Sequence, residues 1–432
     1  MTTRLLFVHQ NFPGQYRHLA AHYAAEAGYR VVAVGEKPNL LRQPRLPGVE
    51  VLGYDLPELE KVEPFNASVV KAIHRGKRVA AGAAHLRRQG FRPDVIFAHI
   101  GWGEALFLKD IFPDARVLLY GEFFYRAQGA DVGFDPEFPM NAEKVLRLRV
   151  MNAPLLMSLD ASDWAMVPTR WQHKQFPAPY ADRMSVIHDG INTDVVTPGR
   201  PGDGELITYV ARNLEPYRGF HVFMRAIPEI QKRRPNARIV IVGGDDVSYS
   251  PRLPSGQTYR QRLLREIAGK ADLSRVHFTG RIPYADYLAL LRRSSVHVYL
   301  TYPFVLSWSL LEAMSAGCLV VGSRTPPVEE VIRDGENGLL TDFFSIEQLA
   351  LRIDEALSND LTHLRHAARK TVVERFDLKR VCLPAQLELV ARLQGQGADA
   401  RPAADVKHLA GHKAVLPVGE EEHRPGHVAG LS

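Results

Sequence analysis

Cysteine is scarce in this chain: 432 residues contain two, Cys318 and Cys382. Two thiols make no disulfide framework, and both read as core thiols of a reducing compartment. Long apolar runs are missing too. None approaches the roughly 20 residues that cross a bilayer. The chain starts directly on a strand, with no charged and apolar leader, so a cytoplasmic location is expected. Charge is only mildly unbalanced, 54 Lys and Arg against 48 Asp and Glu, a formal +6. No recognised motif accompanies that excess, which argues against a nucleic-acid partner. It leaves a solvated basic surface, or a patch facing anionic lipid as a peripheral membrane contact. No G-x-G-x-x-G follows the first strand, so no dinucleotide cofactor is expected. Histidines and carboxylates show no metal-ligand spacing, and no metal is expected.

What is present is a globular composition, 46% hydrophobic and 24% charged, long enough for two or three domains. Short apolar strands alternate with helical stretches, an α/β pattern. The opening strand, 4–9, leads through a turn at Gly14 into a helix, and a second strand follows at 29–34. Residues 50–65 read as a loop and 67–89 as a basic helix. Strands at 94–99 and 115–120 end at His99 and Glu122. Polar residues at strand C-termini point into the ligand crevice of an α/β sheet, so both are site candidates. Residues 128–140 read as a flexible loop able to close over a ligand.

The segment 198–204, rich in Pro, Gly and Asp, is the best interdomain linker. After it, the strand 206–210 runs into ARNLEPYRGF, which places Arg212 and Arg218 at a strand-to-helix turn. Two guanidinium groups there suit a diphosphate. Asp245 and Asp246 follow a buried strand and read as turn residues. Helices are expected at 259–267 and 284–293. The stretch from 299 to 340 then gives strand, loop, helix, strand and helix, with Glu312 as the one carboxylate of an apolar helix. Helical segments at 345–358, 360–374 and 377–394 close the fold, with Asp377 as a plausible N-cap. From 395 the composition cannot support a core, so a disordered tail is expected.

The stretch LLEAMSAGCLVVGSRTPPVEEVIRDGENGLL resembles the donor-site segment of the family 4 glycosyltransferases, enzymes of the GT-B fold that use nucleotide-sugars. That family carries two glutamates separated by seven residues. Glu312 matches the second, while Phe304 stands where the first would fall. Val305, Leu306, Ser307, Trp308 and Ser309 replace the usual glycine-rich part. HQNFPGQYRHLA resembles the family's opening, with Gly14 on the glycine that faces the donor diphosphate. Arg212 and Arg218 with Gly219 resemble its Arg…Lys-Gly signature. His188-Asp189-Gly190 resembles its apolar-x-Asn-Gly turn, with Asp189 in place of Asn.

The resemblance implies two Rossmann-like domains facing across a cleft, with a terminal helix crossing back to the first domain. The boundaries expected are 1–198 for the acceptor side, 204–376 for the donor side, 377–394 for the crossover helix and 395–432 for the tail. It implies retaining, metal-independent transfer from a nucleoside-diphosphate sugar to an unknown acceptor, lipid-linked or polysaccharide among the options. Donor binding would involve Gly14, Arg212, Arg218, Ile282, Ser307, Trp308, Ser309, Leu310 and Glu312. His99, Glu122, Arg212 and Arg218 are the catalytic candidates. Two other readings stay open: a sugar-nucleotide epimerase or hydrolase, and a non-catalytic nucleotide-sugar-binding subunit, which the Phe304 replacement favours.

Overall fold

The computed structural model describes residues 2–56, 58, 62–200, 202 and 204–395. The expected tail lies outside the described residues from 396 onward.

Two parallel sheets carry the chain. In the first, β1 (Thr3–Val8), β2 (Tyr29–Glu36), β3 (Val49–Tyr54), β4 (Val95–His99), β5 (Arg116–Tyr120), β6 (Trp164–Val167) and β7 (Met184–Val186) lie in the order β3-β2-β1-β4-β5-β6-β7. In the second, β8 (Leu206–Asn213), β9 (Arg238–Gly244), β10 (Val276–Gly280), β11 (Val296–Tyr299), β12 (Leu319–Ser323) and β13 (Leu339–Thr341) lie in the order β10-β9-β8-β11-β12-β13. In each sheet the strand order reverses direction beside the first strand. Such a switch point opens a crevice at the strand C-termini. The central strands are buried along nearly their whole length, as Val- and Ile-rich strands covered on both faces must be.

Each sheet has an apolar core on both faces. Leu6, Ile96 and Leu119 lie on one face of the first sheet, and Leu5, Phe7 and Phe97 on the other. The last helix, Leu383–Gly395, places Leu389, Val390 and Leu393 in that second core, so it crosses back to the first domain. Ahead of it, Asp377 caps a five-residue wide turn, Leu378–Cys382, by accepting from the Arg380 amide at 2.6 Å. This is the GT-B architecture. Both cysteines are buried and free.

Two expectations change, and one helix is new. Residues 50–65 are not all loop, because Val49–Tyr54 is an edge strand; only one of its six residues is fully buried, which weakens its apolar signal. The helix Ala142–Asp160, which carries Pro154 inside it, has no counterpart in the sequence reading. Residues 128–140 form neither strand nor helix, yet they are anchored to the second domain. Tyr217 OH donates to Asp131 at 2.8 Å and Tyr302 OH to Asp135 at 2.6 Å. Glu137 pairs with Arg225 at 2.6 Å and with Arg262 at 2.8 Å. Phe134 packs on Tyr302 and Phe343. The segment is a strap between domains.

Candidate functional site

On the first domain's side, four polar groups meet where β1, β4 and β5 end. His9 follows β1, and its ring is buried. Its Nδ1 accepts from the Asn11 amide at 2.9 Å, which leaves the proton on Nε2 to donate to Gln15 Oε1 at 2.8 Å. Gln15 Nε2 in turn donates to Glu122 Oε1 at 3.2 Å. The other Glu122 oxygen lies 3.5 Å from His99 Nε2. His99 Nδ1 accepts from the Gly101 amide, and the ring stacks on Trp102 at 3.9 Å, so its position is set from both sides. Burial, followed by the nearby His99, lowers His9 to about 3, so it is neutral at ordinary pH.

Burial pushes the Glu122 carboxyl up, but His99, His9 and Arg212 more than offset this, and the net shift is downward. Glu122 is thus an oriented, ionised carboxylate with its side chain 31% exposed. Gly14 explains the turn beside it. Its φ is +46°, and a Cβ there would sit 2.5 Å from His9 Cε1. Only glycine lets the loop fold over the imidazole.

On the second domain's side, β8 delivers Arg212 and the following turn delivers Arg218. Arg212 is exposed, and its charge is felt by Glu122 across the cleft. Arg218 Nη1 donates to Thr301 Oγ1 and to the Val305 carbonyl, each at 2.9 Å, and its guanidinium lies 5.7 Å from the Tyr249 ring centre. The turn is tight because Gly219, at φ +67°, packs where a Cβ would sit 2.3 Å from Leu300 Cβ. Glu215, which the sequence reading missed, fixes the facing loop. Its carboxylate accepts from the amides of Ser248, Tyr249 and Ser250 at 3.0, 3.0 and 2.8 Å.

Ser307 caps the helix Trp308–Ser315. Its own amide donates to Tyr299 OH at 2.8 Å, and its Oγ accepts from Ser309 Oγ at 3.0 Å. Leu310 is fully buried and packs into the core. Ile282 packs against the same core from the turn after β10. Glu312 accepts from Tyr284 OH at 2.7 Å and Tyr287 OH at 2.9 Å. Burial lifts its carboxyl above the usual range, and the two phenols partly offset that. A carboxylate has about four acceptor positions, so two remain for a ligand diol.

Phe304 is 5% exposed and fills an aromatic cluster that bridges the domains. Its ring lies 4.6 Å from Phe123, 4.8 Å from Tyr249 and 5.5 Å from Tyr217. A carboxylate at this position would be buried among rings. The paired aspartates are also accounted for: Asp245 pairs with Arg260 at 2.6 Å and Asp246 with Arg252 at 2.7 Å.

Glu122 thus lies beside His99 and the Gly14 loop and feels Arg212 across the cleft, while Arg218 binds the Thr301–Val305 loop that leads into the helix carrying Glu312. Of the residues the reading missed, His9 had a signal, since it too ends a strand. Gln15 and Glu215 had none, because Glu122 and residues 248–250, which they bind, are remote from them in sequence.

Comparison with known proteins divides the chain in two. The family description "Glycosyl transferase family 4 group" matches residues 27–196, and "Glycosyl transferases group 1" matches residues 192–374. A D-inositol 3-phosphate glycosyltransferase of Corynebacterium efficiens is 26% identical over 200 residues, 43% of this chain and 45% of that protein. A phosphatidyl-myo-inositol mannosyltransferase of Mycobacterium tuberculosis is 27% identical over 241 residues, 53% of this chain and 58% of that protein. The match thus spans about half the length of these curated relatives. Among solved structures, sucrose-phosphate synthase from Thermosynechococcus elongatus superposes with a TM-score of 0.69 at 20% identity, covering 90% of this chain and 98% of that one. Anabaena Alr3699/HepE in complex with UDP and glucose gives 0.65 at 18% identity, covering 90% and 100%. Both share the fold.

Proposed function

We propose that this chain, whose two halves match glycosyltransferase family descriptions and whose fold is GT-B, moves a sugar from a nucleoside-diphosphate sugar to an acceptor, with retention at the anomeric carbon. The observation that carries this reading is the electrostatic pairing across the cleft of Arg212, on the strand that leads to Arg218, with Glu122, which Gln15 holds by a hydrogen bond. The two guanidinium groups would hold the diphosphate and stabilise the charge of the departing nucleoside diphosphate. Glu312 would accept hydrogen bonds from the ribose diol. A glycosyl cation developing at the cleft would sit against the ionised Glu122, which the acceptor hydroxyl would approach from the first domain. UDP-sugars are the first donors to test, since the Anabaena neighbour is a complex with UDP and glucose. A phosphorylated or lipid-linked acceptor fits the two curated relatives by their names. Peripheral membrane contact through the basic helix Ala67–Arg88, which contains no acidic residue, accords with that acceptor class.

A second reading has one observation behind it. Phe304 removes a carboxylate from the donor side and fills its place with a ring, as a nucleotide-sugar-binding subunit without turnover could tolerate. Incubation with UDP-, GDP- and ADP-sugars, with and without acceptors and with EDTA, separates the two. Acceptor-dependent release of nucleoside diphosphate, insensitive to EDTA, supports transfer. A thermal shift with no turnover supports the binding subunit. Glu312→Ala should raise the donor KM about tenfold through loss of the diol contact.

A further inference from the structure

The turn that ends the first domain touches the first residue of the donor-side helix through one bond. Trp308 Nε1 donates to Asp189 Oδ2 at 2.7 Å, and Tyr120 OH donates to the same oxygen at 3.1 Å. Asp189 is 6% exposed, and its other oxygen, Oδ1, has no partner. No cation pairs with it among the described residues. A buried carboxylate with one unsatisfied oxygen is costly to ionise, whereas the neutral acid is not. The groups that face it add no positive charge. Glu122 lies on the same side of the cleft, and its field reaches Asp189. Tyr16 and Cys382, from the first helix and the wide turn, feel the charge of Asp189 in return. His188, next in the chain, is lowered to about 4 by burial and is neutral.

We propose that Asp189 and Trp308 form a proton-sensitive tie between the two domains, with Asp189 acting as a positioning residue for the first turn of the helix that carries Glu312. Both residues depart from the pattern that the chain otherwise resembles, which has Asn at 189 and a glycine-rich run before the helix, so the tie is a property of this chain. Burial pushes the Asp189 carboxyl up to about 7; the Trp308 and Tyr120 bonds pull it back, and Glu122 adds to the rise. The sign follows from that raised value. The acid is neutral on the acidic side, where the tie is cheapest to bury. As pH rises through about 7 a lone buried charge appears beside Glu122; the Trp308 and Tyr120 bonds to it strengthen, but the cost of burial outweighs them, so an arrangement that admits water to Asp189 gains over the tied one. An anionic donor near the helix N-terminus opposes the same charge, so donor binding and proton binding support each other.

The tie is tested on the full chain by following its tryptophan indole N–H resonances against pH, with Trp308→Phe assigning the signal. The Trp308 indole should titrate once with a midpoint near 7 in the wild type and stay fixed in Asp189→Asn, where the side-chain oxygen still accepts but no longer ionises. A flat wild-type signal between about pH 5.5 and 8.5, or a titration that persists in Asp189→Asn, overturns the proposal. The donor-linked part rests on the glycosyltransferase reading and uses UDP-glucose, whose diphosphate does not titrate in this range. Its dissociation constant should rise about threefold to tenfold from pH 6 to pH 8 in the wild type and stay level in Asp189→Asn. Wild-type affinity that does not change with pH counts against the tie, while absence of UDP-glucose binding at every pH counts against the donor assignment and leaves the indole titration to decide the tie. If Asp189→Asn does not fold, Trp308→Phe takes its place in the affinity series, with a reduced pH dependence expected and an unchanged one contradicting the tie.

Discussion

The two walls of the cleft draw their chemistry from the chain in different ways. The second domain supplies Arg212 and Arg218 from the end of β8 and the turn after it, and Ser307 to Glu312 from the start of one helix, each stretch spanning only a few residues. The first domain gathers His9, Gln15, His99 and Glu122 from the ends of three separate strands and the loops that follow them. A local cluster holds its geometry through its own turn, as Gly219 shows by packing against Leu300. A dispersed cluster holds together only if the whole sheet is in register. The difference suggests a division of labour, in which the second domain binds the donor and the first domain adjusts the reacting end.

That division can be broken by experiment. The largest effect is expected from Arg218→Ala, which removes the charge proposed to hold the diphosphate and frees Thr301 and the Val305 carbonyl. The donor kcat/KM should fall about a hundredfold, mostly through KM, in steady-state assays. A loss confined to kcat would move Arg218 out of the donor wall. Glu122→Gln comes next. It keeps a partner for Gln15 but loses the charge, and kcat should drop about tenfold to a hundredfold with donor KM nearly unchanged. Equal effects on both parameters would erase the division. Gly14→Ala is smaller and reads out structure. With φ +46° and His9 in the way, it should lower stability by about 1–2 kcal/mol in chemical denaturation, and a neutral result would mean that the loop is free to move off the imidazole. The least effect is expected from Glu137→Gln in the strap. Its arginine partners are partly exposed, so less than about 1 kcal/mol should be lost, and a larger drop would make the strap a main brace between domains.

The same contrast explains what the sequence disclosed. Helices at 259–267 and 284–293 were legible because an amphipathic period of nine or ten residues is a local signal, and they occur as Tyr259–Ile267 and Tyr284–Arg293. Buried strands such as Val296–Tyr299 announced themselves by apolar runs. The edge strand Val49–Tyr54 did not, since its side chains are mostly in solvent and its pattern resembles a loop. The strap looked like a free loop because everything that holds it, from Tyr217 to Arg262, lies in the other domain. At the site, Arg212, Arg218 and Glu312 were marked by the resemblance to glycosyltransferase motifs. The two phenols on Glu312 were not, nor was the hold of Glu215 on residues 248–250. His9 was a missed opportunity, since the strand-end argument that singled out His99 applies to it equally.

Diffraction from crystals soaked in UDP-glucose tests the central claim most directly. The account predicts the diphosphate within hydrogen-bond reach of Arg212 and Arg218, the ribose hydroxyls at Glu312 and the anomeric carbon turned toward Glu122. A nucleotide bound elsewhere, or one leaving those side chains on separate surfaces, would contradict it.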